Sequence, residues 1–268
     1  MTSREIAKPR SWALSTPPFA MCVVRPDREL PTACKLQTLG LIAAFGFDDL
    51  GDPRVPVGTR RHVAVIVAAP LQLRPANVNG YIKGPMHKPI PASYWVVDGM
   101  LLAGEYAGAS TPARARPKLE ALLDAGMRAF FDLTEEGELP PYQDLLRDLA
   151  DDRCLSVAYD RVPIRDAGVP DPADLHRLLS LLKTNVDRGI PSYVHCWGGI
   201  GRTGTVIGCW LVEHTALDGK AALQRIAELR YGTPDRSWRS PERDEQVALV
   251  LGWAEIRLSL GTVARACG

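Results

Sequence analysis

The sequence predicts an α/β domain with a mainly parallel central sheet and helices on both faces. From about residue 94 onward, short runs rich in β-branched and aromatic residues alternate with helical segments of about ten to seventeen residues. This order is typical of parallel sheets. A glycine-rich bend within 191–206 follows one such strand and precedes an apolar helix. α/β sheets bind their ligands at the carboxyl ends of strands, and the bend lies at such an end.

The first third of the chain differs from the rest. It carries 12 of the 22 prolines and a net charge of +6 up to residue 93, whereas the remainder has a net charge of −5. Frequent prolines leave few uninterrupted elements, although 36–47 is a candidate helix and 62–69 a candidate strand. We therefore expect residues 1–92 to form a Pro-rich, poorly ordered N-terminal extension and residues 93–262 to form the folded domain.

Turn signals and leucine spacing predict the elements in the first half of the domain. Two strand-like runs surround Asp98-Gly99, a dipeptide that is a strong β-hairpin signal. Leucines that recur three and four residues apart predict two helices, one with a Gly stop and one with a Pro start. In chain order, these signals place a hairpin at 94–106, a helix at 112–124, a strand at 128–133 and a helix at 140–150.

The second half contains the strongest helical pattern. Apolar residues at spacings of three and four fill one face of 172–188, and Asp171 stands directly before its first proline as an N-cap. Alternation predicts a strand at 155–159, and a short β-rich run predicts one at 192–195. Three helices complete the prediction, at 203–214, 218–230 and about 240–260.

The bend after the strand at 192–195 has the chemistry of an anion-binding cradle. Its glycines allow positive φ angles, so backbone N–H groups can turn toward one point, and the next helix adds its partial positive charge. A thiol at this place has a lowered pKa, so we expect Cys196 to be a thiolate. The guanidinium fork of Arg202 matches two phosphoryl oxygens. The predicted phosphate-binding residues are Trp197, Gly198, Gly199, Ile200, Gly201 and Arg202.

His195-Cys196, five intervening residues and then Arg202-Thr203-Gly204 resemble the signature of the cysteine-dependent protein tyrosine and dual-specificity phosphatases, of the atypical dual-specificity type. The resemblance covers about residues 94–260. It implies a tyrosine-phosphatase-like fold and hydrolysis through a phosphocysteine intermediate, with no metal and no cofactor. Cys196 is then the nucleophile, Arg202 binds the phosphoryl oxygens, Thr203 donates to the sulfur, and His195 holds the loop in shape.

Such a reaction also needs a proton donor for the leaving oxygen. Asp166 is the candidate, because it lies in a loop just beyond a predicted strand and because Val162–Asp166 resembles the acid loop of the dual-specificity family. Asp160 is a rival, and Asp171 is a rival that we assign to the helix cap. Gln246, on the last helix, is the candidate for orienting the water of the second step.

The substrate that these residues favour is a phosphoprotein carrying phosphotyrosine, with phosphoserine or phosphothreonine as further targets. The bend has no Lys or Arg between Cys196 and Arg202, which argues against more highly charged esters. The alternatives are a phosphoinositide, an inositol phosphate or an RNA 5′-phosphate as substrate, a non-catalytic phosphoprotein-binding module, or a sulfurtransferase. We expect a monomer with no nucleic-acid partner and no membrane partner.

Cysteine usage bears on the compartment. Six cysteines are widely spaced with no CxxC pair, which is typical of a reduced, cytoplasmic protein without a structural zinc site. No apolar run is long enough to span a membrane, and the first residues lack the apolar core of a signal peptide. By resemblance to some relatives, Cys154 or Cys209 could form a protective disulfide with Cys196.

Overall fold

The computed structural model describes residues 87–266, with side chains described to residue 260. The predictions for 36–47 and 62–69, and the expected poor order of the extension, lie outside the described residues. Ile90 is buried in the core, and the Ser93 hydroxyl donates to its carbonyl oxygen. The packed domain therefore includes residues before the predicted boundary at residue 93.

The elements follow the predicted order. The strands are β1 (Ser93–Val97), β2 (Leu101–Gly104), β3 (Ala129–Asp132), β4 (Ala158–Arg161) and β5 (Ser192–His195). The helices are α1 (Pro112–Asp124), α2 (Gln143–Asp151), α3 (Pro172–Asp187), α4 (Gly201–His214), α5 (Gly219–Leu229) and α6 (Asp244–Ala266). No helix among these is long and apolar enough to cross a membrane.

The strands form one five-stranded sheet in the order β1-β2-β5-β3-β4. The β1–β2 hairpin is antiparallel, and the other three pairings are parallel, which confirms the mainly parallel sheet. The register sets Gly104 and Asp132 on either side of His195, at the last paired position of each strand. The carboxyl ends of the three central strands therefore meet at one edge of the sheet.

Helices cover both faces of the sheet, as predicted. One face packs leucines of α1 and α2, including Leu119 and Leu146, against Phe130 and Tyr193 of the sheet. The other face packs α3, α4, α5 and α6 in a larger core that includes Trp253. α4 is buried over 201–211. The helix that begins at the glycine-rich bend is thus the central helix of the larger layer.

Four elements begin two or more residues from their predicted start. α2 begins at Gln143 rather than at residue 140, so Pro140 and Pro141 precede the helix. β4 begins three residues later than predicted, because its pairing with β3 starts at Ala158 opposite Ala129. α4 begins at Gly201 rather than Thr203, and α6 begins at Asp244 rather than near residue 240. Hydrogen bonds and packing outside each segment set these ends, and the local pattern does not contain them.

We predict that Gly219 is required for close packing of α5 on α6. A Cβ atom at Gly219 would lie 2.6 Å from the Leu251 Cα, a backbone atom that cannot rotate away. Gly219→Ala should therefore lower the free energy of unfolding by roughly 2 kcal/mol through overpacking.

The matched control is Gly252→Ala, also within a helix, where the nearest atom to an added Cβ is the Ile256 Cδ1 at 3.7 Å. Ala has the higher helix propensity, so this variant should be neutral or slightly stabilised. Urea denaturation followed by circular dichroism measures both. Equal stability of the two variants would contradict the packing argument.

Candidate active site

The bend between β5 and α4 is held by the end of β2. Gly199 has a φ of +70°, and a Cβ there would lie 2.4 Å from the Gly104 carbonyl carbon, so only glycine fits at this position. The Tyr106 N–H donates to the carbonyl oxygen of Trp197 over 2.7 Å. The loop is therefore packed against β2 and held there by a backbone hydrogen bond.

A pocket of about 390 Å³ opens over this loop. It is lined by Asp166, Ala167, Cys196, Trp197, Gly198, Ile200, Gly201, Arg202, Trp238, Glu242 and Gln246. Cys196 is a free thiol that is only 3% exposed. The structure thus brings the predicted nucleophile, phosphate-binding residues, acid and Gln246 to one cavity. Gly199, His195 and Thr203 lie outside its lining.

Arg202 is fixed by a partner that the sequence analysis missed. Its Nη1 and Nη2 donate to the two Glu138 carboxylate oxygens over 2.7 and 2.6 Å, and Nη1 also donates to the Ile164 carbonyl oxygen over 3.2 Å. These hydrogen bonds from Arg202 are the main reason that the pKa of Glu138 is lowered. A single Glu in a loop carries no sequence signal, since its partner is 64 residues away.

Asp166 lies on the other side of the same guanidinium. Its Oδ1 is 3.1 Å from Arg202 Nη2, while its side chain is 69% exposed. The loop is a tight turn in which the Gly168 N–H donates to the Arg165 carbonyl oxygen, with Ala167 at a φ of +56°. A carboxylate so placed is accessible from the pocket and close to Arg202, the predicted phosphate-binding group.

The rival carboxylates occupy other places. Asp171 caps α3, since its side chain accepts from the N–H groups of Ala173 and Asp174. Asp160 lies within β4 and does not line the pocket. Among the three candidates, Asp166 is the carboxylate that lines the cavity with Cys196.

Gln246 is fully buried and joins the acid loop to α6. Its Oε1 accepts from the N–H groups of Glu242 and Arg243, each over 3.1 Å, and its Nε2 donates to the Gly168 carbonyl oxygen over 2.9 Å. Both lone pairs of Oε1 are therefore in use, and one Nε2 hydrogen remains. The predicted role in orienting water stays a prediction, whereas the anchoring of the acid loop is visible in these contacts.

His195 connects the cradle to a buried polar network. Its Nδ1 lies 3.0 Å from the Cys196 carbonyl oxygen, which can only accept, so Nδ1 carries the proton and Nε2 accepts from the Tyr142 hydroxyl over 2.6 Å. Burial lowers the pKa of His195 and favours the neutral ring. Its contacts hold the carbonyl oxygen of the cysteine in one orientation.

Asp132 lies beside His195, and both of its carboxylate oxygens accept hydrogen bonds. Its Oδ1 accepts from the backbone and hydroxyl of Thr134, and its Oδ2 accepts from Tyr159 and Arg161. Burial raises the pKa of Asp132, but the hydrogen bonds from Thr134 and Tyr159 outweigh it, so the pKa is lowered overall. Asp132 is thus a buried anion behind the cradle, which sequence analysis did not identify.

Thr203 lies in the first turn of α4, since the residue before the helix is Ile200. Its hydroxyl is buried and has no hydrogen-bond partner in this structure. The predicted bond to the Cys196 sulfur, which belongs to hydrolysis of the intermediate, stays a prediction.

The predicted protective disulfide between Cys196 and either Cys154 or Cys209 is not formed. Cys196 and Cys209 are both free, and Cys154 is disulfide-bonded to neither of them. Cys209 lies in the core, where burial raises its pKa. Among the described residues, no group of three or more His, Cys, Asp or Glu side chains is arranged to hold a metal ion.

We predict that the ion pair between Glu138 and Arg202 is required for full catalytic activity. Glu138→Gln removes the charge and one of the two acceptor oxygens, so Arg202 is no longer held in one plane. Since misplacing a charge-stabilising group costs about 10- to 100-fold, kcat/KM for an aryl phosphate should fall by that amount.

Glu136→Gln, an exposed neighbour in the same loop, is the control and should leave kcat/KM unchanged. Steady-state kinetics with both variants, together with thermal melts to verify folding, provides the test. Full activity in the Glu138 variant would show that Arg202 does not depend on it.

Comparisons with known proteins place the cradle within a matched segment. Residues 106–216 match the family model described as "Tc-R-P: Polymorphic toxin system, DSP-PTPase phosphatase". Phosphatidylglycerophosphate phosphatase PTPMT2 of Arabidopsis thaliana is 33% identical over 70 residues, which is 26% of this chain and 31% of that protein. Cyclin-dependent kinase inhibitor 3 of Homo sapiens is 28% identical over 127 residues, which is 42% of this chain and 58% of that protein.

The chain thus spans about a third to just over half of the length of these curated relatives. Among solved structures, a mutant form of Tk-PTP is 26% identical with a TM-score of 0.48. That alignment covers 63% of this chain and 98% of the other.

Proposed function

We propose that this domain, which belongs to the cysteine-dependent tyrosine and dual-specificity phosphatases, hydrolyses phosphotyrosine in proteins through a phosphocysteine intermediate. The observation that carries the proposal is the convergence on one pocket of a buried thiol, a doubly held guanidinium and an exposed carboxylate, namely Cys196, Arg202 and Asp166. Phosphoserine and phosphothreonine are further substrates within the proposal. The fold supplies each of the groups that this reaction needs.

Substrate binding uses the free side of Arg202. Three of its five N–H groups are occupied by Glu138 and the Ile164 carbonyl oxygen, which leaves Nε–H and one Nη2 hydrogen for a phosphoryl group. The backbone N–H groups of the bend and the N-terminus of α4 supply further donors. The incoming phosphate takes the place of Asp166 beside Nη2, so the carboxyl group is free to face the leaving oxygen.

In the first chemical step, the Cys196 thiolate attacks phosphorus in line with the ester oxygen. The S–P bond forms as the P–O bond breaks, and protonated Asp166 gives its proton to the leaving oxygen. Arg202 and the loop N–H groups hold the equatorial oxygens throughout. No metal or cofactor is required in this scheme, because these groups stabilise the charge that develops.

In the second step, water attacks the phosphocysteine. Asp166, now a carboxylate, accepts a proton from this water, the S–P bond breaks, and inorganic phosphate leaves with the thiolate restored. The unpartnered hydroxyl of Thr203 is available to donate to the departing sulfur, and the remaining Nε2 hydrogen of Gln246 is available to the water. Their roles are part of the proposal.

Charge in the pocket supports a singly phosphorylated substrate. Two carboxylates, Asp166 and Glu242, line the cavity beside one guanidinium and no lysine. A polyanion such as an inositol polyphosphate or an RNA triphosphate would meet repulsion there. Within this proposal, the domain acts as a monomer in the cytoplasm on phosphoprotein partners.

A lipid phosphate monoester is the second candidate substrate. The Arabidopsis thaliana relative is named as a phosphatidylglycerophosphate phosphatase, and such a headgroup also carries a terminal phosphate monoester. We expect kcat/KM to be higher for a phosphotyrosyl peptide than for phosphatidylglycerophosphate in detergent micelles. Phosphate release from both substrates is measured under matched conditions. A higher kcat/KM for the lipid would favour the lipid phosphate monoester over the phosphoprotein as the substrate.

The roles of the nucleophile and the acid can be separated by substitution. Cys196→Ser should abolish phosphate release, because a serine hydroxyl at this site is a far weaker nucleophile than the thiolate. Asp166→Asn should lower kcat by about 100- to 1000-fold for a phenyl ester, with a smaller loss for an ester whose leaving group needs no proton.

Asp160→Asn is the matched control and should retain activity if Asp166 is the acid. Release of p-nitrophenol, compared with that of phenol from phenyl phosphate, gives the dependence on the leaving group. Turnover by Cys196→Ser would rule out the phosphocysteine route. A larger loss of kcat in Asp160→Asn than in Asp166→Asn would assign the role of general acid to Asp160 instead.

A further inference from the structure

We propose that Trp197 and Trp238 are specificity-determining residues, whose indole rings receive the aromatic ring of a phosphotyrosyl side chain. The inference deepens the proposed phosphatase function and rests on it. It assigns to this pocket a preference for aryl over alkyl phosphate esters. Arg202 and the backbone N–H groups of the cradle contact the phosphate alone and cannot supply such a preference.

Exposure sets these two tryptophans apart from the others in the described part of the chain. Trp95, Trp210 and Trp253 are at most 7% exposed and belong to the core. Trp197 and Trp238 are 62% and 61% exposed, and both line the pocket over the nucleophile. Large apolar side chains exposed together at a pocket mark a surface that a ligand covers.

The two rings come from different parts of the chain. Trp197 directly follows the nucleophile, and its backbone is fixed by the hydrogen bond from Tyr106. Trp238 lies in the connection between α5 and α6, far from the cradle in sequence. Among the described residues, neither indole stacks on another aromatic ring. Neither indole is thus engaged by another ring in this part of the chain, and more than half of each side chain is exposed.

A buried arginine holds the segment that carries Trp238. Arg230 is 3% exposed, and it donates through Nη1 to the Trp238 carbonyl oxygen over 2.8 Å and through Nη2 to the Asp235 carbonyl oxygen over 3.1 Å. Its Nη2 is also 3.1 Å from an Asp235 carboxylate oxygen. A buried guanidinium must be fully hydrogen-bonded, so these contacts define one conformation of the segment. Arg230 thus holds the backbone of the segment that carries Trp238.

The same segment is tied to the cradle itself. Ser240 lies two residues after Trp238, and its hydroxyl donates to the Ile200 carbonyl oxygen over 2.7 Å. The backbone of this segment is therefore joined to the phosphate-binding loop before substrate arrives. Preorganisation of this kind lowers the entropy that is lost on binding.

The burial of the nucleophile and the exposure of the indoles favour an aromatic ester. Cys196 is 3% exposed, so the phosphate must enter the pocket to reach the thiol, whereas both indoles are more than half exposed. In this proposal, the phenyl ring of phosphotyrosine lies beside the indoles. A phosphoseryl side chain is shorter and has no ring, so it would gain no stacking energy from them.

The test uses the full chain and two peptides of one sequence, carrying either phosphotyrosine or phosphoserine. Trp238→Ala and Trp197→Ala should each lower kcat/KM for the phosphotyrosyl peptide by about 10-fold and for the phosphoseryl peptide by less than about 2-fold. Trp238→Phe keeps an aromatic face and should restore most of the phosphotyrosyl activity. Tyr231→Ala removes an aromatic side chain that is 78% exposed but outside the pocket lining, and it should change neither value.

Peptide binding, followed by tryptophan fluorescence, provides a second test that does not depend on turnover. In a Cys196→Ser background, the phosphotyrosyl peptide should quench tryptophan fluorescence, and adding Trp238→Phe should weaken that quenching. Equal losses on both peptides in the Ala variants, or unchanged quenching in the Phe variant, would overturn the role of the indoles and leave the phosphatase function standing. Absence of Cys196-dependent turnover of either peptide would instead overturn the proposed function and this inference with it.

Discussion

The site depends on the bidentate ion pair between Arg202 and Glu138. A guanidinium that is 3% exposed is costly unless its hydrogen atoms have partners, and removing one partner of such a pair is strongly destabilising. Glu138 satisfies one edge of the fork, with the Ile164 carbonyl oxygen beside it, and thereby orients the opposite edge toward the pocket. The plane of Arg202 is fixed by the fold before any phosphate is present.

Three strands contribute to this arrangement through their common edge. β3 is followed by the loop that carries Glu138, β4 by the segment with Ile164 and Asp166, and β5 by the cradle. The parallel register brings the ends of these strands level, so that loops distant in sequence meet at one point. Asp132 and His195, paired in that register, extend the polar network beneath the cradle.

The sequence was sufficient for features whose signals are local. The bend, its glycines, Cys196 and Arg202 lie within a few residues of one another, and the hydrophobic periodicity around them predicts strand and helix. Glu138, Asp132 and Arg230 could not be predicted, because each is an isolated polar residue whose role depends on partners that the fold supplies. Gln246 was found by its position on the last helix, but its contact with Gly168 depends on tertiary structure.

An asymmetry between the two charged groups at the pocket connects structure to mechanism. Arg202 is buried and held by three hydrogen bonds, whereas Asp166 is 69% exposed on a short turn and has one ion-pair distance to the same guanidinium. In the proposed mechanism, a phosphate that competes for Nη2 displaces the carboxylate and leaves the guanidinium in place. The anchor from Gln246 to Gly168 limits how far the acid loop moves, so the displaced carboxyl group stays at the pocket. Phosphate binding and the release of Asp166 are a single event in this mechanism, since both depend on one nitrogen atom of Arg202.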